Sequence, residues 1–149
     1  MNTITCYHAS PDLFREPSYS KCLQNRKNHE NGNLGLWFSM EPSWIKGFGG
    51  NIYQFDINDA GGDKSIEVTC EQLFEWNLKK FNHVDYQNKR LQLIQQGYDF
   101  IKVIENGGFF KMGIVLNFDA IINFSLMVEK TTEPLVTRKV MHESSGFGL

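Results

Sequence analysis

The chain has 149 residues, 41% of them hydrophobic and 13% aromatic, which is the composition of a folded globular domain and excludes a disordered chain. Its formal net charge of −2 excludes the broad basic surface of a sequence-independent nucleic-acid binder. The three cysteines, Cys6, Cys22 and Cys70, are odd in number and lack CxxC spacing, so neither a disulfide framework nor a zinc site is expected.

Residues 3–8 alternate, with Ile4, Cys6 and His8 on one side, and this predicts a first strand. A polar stretch over 10–33 follows, long enough to suggest a binding loop or lid, with Lys21, Arg26 and Lys27 as a local basic run. Residues 34–39 predict a second strand, on which Leu36 and Phe38 face a core and Gly35, Trp37 and Ser39 face the other way. Pro42 precedes a short helix over 43–48, ended by Gly49 and Gly50. Tyr53, Phe55 and Ile57 mark a third strand over 51–57, and 58–63 reads as a turn.

Thr69 and Gln72 have the spacing of a capping box and open a helix containing Leu73, Phe74, Trp76 and Leu78. A second helix is predicted over 85–96, closed by Gly97. Residues 100–104 form a short apolar strand, 105–108 a glycine-containing turn, and 109–118 another strand. Residues 119–126 hold a further turn and strand, and a polar tail runs from about residue 129. Strands dominate, with helices in the middle, which predicts a single α+β domain over 1–149. No glycine-rich phosphate fingerprint follows a strand, no signal peptide precedes the first one, and no apolar run is long enough to span a membrane, so a cytoplasmic location is expected.

Three segments stand out together: Tyr7-His8-Ala9-Ser10, then Gly35-Leu36-Trp37-Phe38-Ser39 followed by Phe48, and Gly97-Tyr98-Asp99-Phe100-Ile101 running to Glu105. In order and spacing they resemble the ADP-ribosyltransferase family of the diphtheria-toxin and poly(ADP-ribose)-polymerase type, and in size its phage-encoded members, including anti-CRISPR enzymes. His8 and Ser10 match the family's His-Gly-Ser/Thr motif, while Trp37 and Phe48, eleven residues apart, fall where it carries two tyrosines. Ala9 stands where the family has Gly, and the two aromatic exchanges keep the ring and lose the hydroxyl. The resemblance implies a split β-sheet with a cleft for NAD as substrate, no metal, a host protein as target, and a phage effector acting inside a bacterium. It assigns catalysis to Glu105, as the acid, and His8, and contact with NAD to His8, Ala9, Ser10, Gly35, Trp37, Ser39 and Phe48; if Glu105 is merely solvated, Asp99 is the next carboxylate.

The chemistry suits those residue types. Cleaving the ribose–nicotinamide bond makes an oxocarbenium-like centre that a carboxylate stabilises. An imidazole can hold a ribose hydroxyl, two flat rings can enclose nicotinamide, and the Arg15 guanidinium is suited to phosphate. Each residue also has a plainer role: His8 as a hydrogen-bonded strand histidine, Trp37 and Phe48 as core, Glu105 as turn chemistry, Arg15 as surface. An inactive protein of the same fold that blocks a partner by occupancy is the alternative function.

Overall fold

The computed structural model describes residues 3–10, 13, 15–20, 30–42, 50–59 and 62–129. Seven strands form one mixed sheet: β1 (Thr3–Ser10), β2 (Leu36–Ser39), β3 (Asn51–Asn58), β4 (Ser65–Thr69), β5 (Phe100–Ile104), β6 (Phe110–Val115) and β7 (Ile121–Val128). Their order across the sheet is β4-β5-β6-β2-β1-β3-β7. Only β4 and β5 run parallel among the recorded pairings. Helices α1 (Cys70–Leu78) and α2 (His83–Gln95) lie between β4 and β5 in the chain, the crossover that a parallel pair requires. The α+β class expected from the sequence is therefore found.

The sheet has two apolar faces. On one, Cys6, Leu36, Phe38, Phe55, Phe100 and Val115 are buried together, and Phe124 and Ile121 of β7 pack against them. Phe38 is the hub, with ring centroids 6.0 Å from Phe55, 6.5 Å from Phe100 and 6.4 Å from Phe110. Gly113 makes room for it, because a Cβ there would come within 2.3 Å of Phe38 Cζ. On the other face, Val68, Ile101, Val103 and Ile114 pack against Tyr86 and Leu93 of α2. Trp37 packs on this helix-covered face too.

Local chemistry sets the helix ends. Thr69 accepts from the Gln72 amide at 3.1 Å, and the Gln72 side chain accepts from the Thr69 amide at 2.9 Å, which is the expected capping box. Asn82 and Asp85 form a second box, so α2 starts at His83 rather than at 85. Gly97, at φ 95°, receives the chain after α2, and the amides of Gly97 and Tyr98 bond back to the Ile94 and Leu93 carbonyls.

Several boundaries differ from expectation. Leu34 belongs to a 3-10 turn (Glu30–Leu34), and β2 begins at Leu36. Gly35 separates them at φ 152°, where a Cβ would lie 1.9 Å from the Val115 carbonyl oxygen. β4 lies between the expected turn and the Thr69 capping box, where alternation is too short to predict a strand, and the expected strand 109–118 ends at Val115 before a 3-10 turn (Phe118–Ala120). The helix expected over 43–48, Phe48 included, lies outside the described residues, as does the tail beyond 129.

Candidate functional site at the seam between β1 and β2

β1 pairs with β3 without interruption from Thr3↔Asn58 to Ser10↔Asn51, and β2 pairs with β6 along its whole length. Between β1 and β2 the recorded register holds only Tyr7↔Ser39. Beyond that pair, the His8 ring bridges the seam: Nδ1 lies 2.6 Å from the Trp37 carbonyl oxygen. A carbonyl can only accept, so Nδ1 carries the hydrogen, and a neutral ring has its acceptor lone pair on Nε2. The first two sequence segments that stood out are thus joined by one side-chain hydrogen bond.

His8 is 8% exposed and faces the phenylalanine-rich side, opposite Tyr53 in the β1–β3 ladder. Ser10, buried, faces Asn51, also buried. The sequence gives Asn51 no role and assigns Tyr53 only to one side of the third strand, because nothing local says which residues they face. Asn33 is given none either. It is buried, its carbonyl accepts from the Tyr19 hydroxyl, and its side chain accepts from Gln87 Nε2 at 3.1 Å. The Arg90 guanidinium covers the Tyr19 ring at 3.7 Å, so α2 clamps the turn that leads into β2. Among the described residues no buried side-chain nitrogen or oxygen lacks a hydrogen-bond partner.

The remaining expected site residues divide. Ala9 is half-buried in β1 without the positive φ that would have required Gly. Gly35 has the steric role described above. Trp37 points to the opposite side of the sheet from His8, and its indole nitrogen donates to the Asn31 carbonyl at 3.1 Å. Its phase, read as facing a cleft, reflects a second apolar face beneath the helices. Ser39 is buried, and its hydroxyl is used locally: it donates to the Glu41 carbonyl at 2.9 Å and accepts from the Glu41 amide at 3.0 Å. Arg15 is exposed.

Glu105 is not set beside His8 by the ladder. Val103, Met112, Ser39 and Tyr7 share one row across β5, β6, β2 and β1. Glu105 lies two residues past that row in one direction and His8 one residue past it in the other. At ordinary strand spacings this is about 14 Å across the sheet and about 10 Å along it. Glu105 is half-buried at the base of a tight turn, its amide bonded to the Phe109 carbonyl at 2.9 Å. Asp99 is also three strands from β1, beyond the other end of the rows, and its carboxylate accepts from Asn117 Nδ2 at 3.2 Å.

Among the described residues no three His, Cys, Asp or Glu side chains are grouped to hold a metal ion, and no helix is long and apolar enough to cross a membrane. No protein-family model, curated protein or solved structure matches the chain.

Proposed function

We propose that this chain is an ADP-ribosyltransferase-like protein that holds NAD⁺ at the seam between β1 and β2 and transfers its ADP-ribose to a host protein. The observation that carries the reading is the hydrogen bond from His8 Nδ1 to the Trp37 carbonyl. It brings together two of the three segments on which the family resemblance rests, at the one place where the sheet is joined by a single recorded register pair. That seam is the natural counterpart of the family's split sheet. With Nδ1 held by the Trp37 carbonyl, the His8 imidazole fixes the end of β1 against β2, beside which the ribose is seated. Nicotinamide then departs with the bond electrons, and a nucleophile on the target attacks the anomeric carbon and loses its proton.

The placement of Glu105 favours a second reading. A carboxylate stabilises an oxocarbenium centre through proximity, and Glu105 lies across the sheet from His8. The same fold without transfer would inhibit a partner by occupying its surface. Incubation of a bacterial host extract with labelled NAD⁺ and the purified chain separates the readings. Label on a host protein, lost with His8→Ala, supports transfer. Loss with Glu105→Gln as well assigns that carboxylate to the chemistry, whereas full activity of Glu105→Gln removes it. Absence of label together with absence of NAD⁺ binding at saturating concentration overturns the proposal.

A further inference from the structure

Helix α1 buries none of its residues fully. Leu73 and Trp76 pack against the helix-side core, yet the helix carries a second apolar stripe on another flank. Cys70, Phe74 and Leu78, spaced four residues apart, are all exposed, Phe74 to 61% and Leu78 to 65%. The charges beside this stripe are ordered along the axis. Glu71 and Glu75, both exposed, flank its first part, and Lys79 and Lys80, also exposed, follow its end. A stripe that is acidic at one end and basic at the other complements itself when a copy is turned end for end.

We infer that the exposed stripe of α1 is a self-association surface, packing antiparallel against α1 of a second copy of this chain. A two-fold axis crossing the exposed stripe between Phe74 and Leu78 sets Phe74 against Leu78 of the partner subunit and Glu71 toward Lys79 and Lys80 of the partner subunit. The two-fold repeats this acidic-to-basic contact at both ends of the helix pair, as an isologous contact does. The stripe spans only two helical turns, far less than the roughly 1,200 Å² buried in stable interfaces, so the dimer is weak and forms at high concentration. The uncharged edge strand β7 is a poorer docking surface. Its pairing with β3 is interrupted by two register shifts, and Asn123 sits at φ 56° within it, irregularities that turn a strand edge away from new partners.

Sedimentation velocity on the full chain across a wide concentration range tests the inference. The native chain is expected to rise toward twice its monomer mass at the highest concentrations, and Phe74→Ser/Leu78→Ser to remain monomeric. Glu71→Lys/Glu75→Lys and Lys79→Glu/Lys80→Glu are each expected to associate about tenfold more weakly alone. Their equimolar mixture is expected to recover the native association. Circular dichroism melts of every variant establish that folding is retained. A native chain that stays monomeric throughout overturns the inference. So does association unchanged in Phe74→Ser/Leu78→Ser, or a mixture no tighter than its components.

Discussion

The two halves of the sheet are built alike and joined unlike. On one side β1 and β3 share a continuous ladder of eight pairs, and on the other β2 and β6 pair along all four residues of β2. Across the boundary, side chains supply much of the connection. The His8 imidazole reaches the Trp37 carbonyl, and the Phe38 ring meets Phe55 of β3 edge-on, above the buried Cys6. A ladder is repetitive and tolerates exchange of its side chains. A seam held by one register pair, one imidazole and one ring depends on those few residues.

This contrast can be broken at graded cost. Phe38→Ala removes the ring that fills the space over Gly113 and touches aromatic rings on β3, β5 and β6. A loss of about 3–5 kcal/mol is expected in urea unfolding, the usual range for a buried Phe. His8→Ala is expected to cost about 1–3 kcal/mol, because it leaves the Trp37 carbonyl without its recorded donor. Hydrogen exchange refines that expectation: protection falls in β1 and β2 next to the seam, while the amides shared by β3 and β7 keep theirs.

The smallest expected effect depends on pH. Burial pushes the Cys6 thiol well above its usual range, with the Asp56 carboxylate adding to the shift. A thiol whose folded pKa is raised contributes stability that is complete below the unfolded pKa of about 8.5 and declines as pH rises beyond it. Cys6→Ala should therefore flatten the alkaline fall in stability by at most about 1.4 kcal/mol per pH unit. An identical slope in both proteins would place the alkaline loss elsewhere. Exposed Cys70 is the reference thiol and should react with a disulfide reagent in the native state, whereas Cys6 should react only on unfolding.

Local signals in the chain were legible where local physics decides. Alternation marks β1 and β3, the Thr69–Gln72 box opens α1, and Gly97 closes α2, each because the cause lies within a few residues. β4 was missed although Ile66 and Val68 alternate with Glu67, since the segment has only five residues and its last is the N-cap of a helix. Trp37 was legible in phase, opposite to Leu36 and Phe38, but alternation alone does not say what lies on that side; here it is the helix-side core, against which Trp37 is half-buried. Glu105 shows the larger limit. Spacing along the chain placed it after a strand, but how many strands separate it from His8 is set by sheet order, which only long-range pairing fixes. The clamp of Arg90, Tyr19, Asn33 and Gln87 depends likewise on contacts between distant segments.

The seam as a nicotinamide-nucleotide site is tested most directly by titrating the isotopically labelled chain with NAD⁺ and following its amide resonances. Shifts should concentrate on Tyr7, His8, Ala9 and Ser10 and on Gly35 to Ser39, saturate together, and disappear in His8→Ala while that variant keeps its native spectrum elsewhere. Unmoved resonances at these positions, or shifts confined to another part of the sheet, would contradict the assignment.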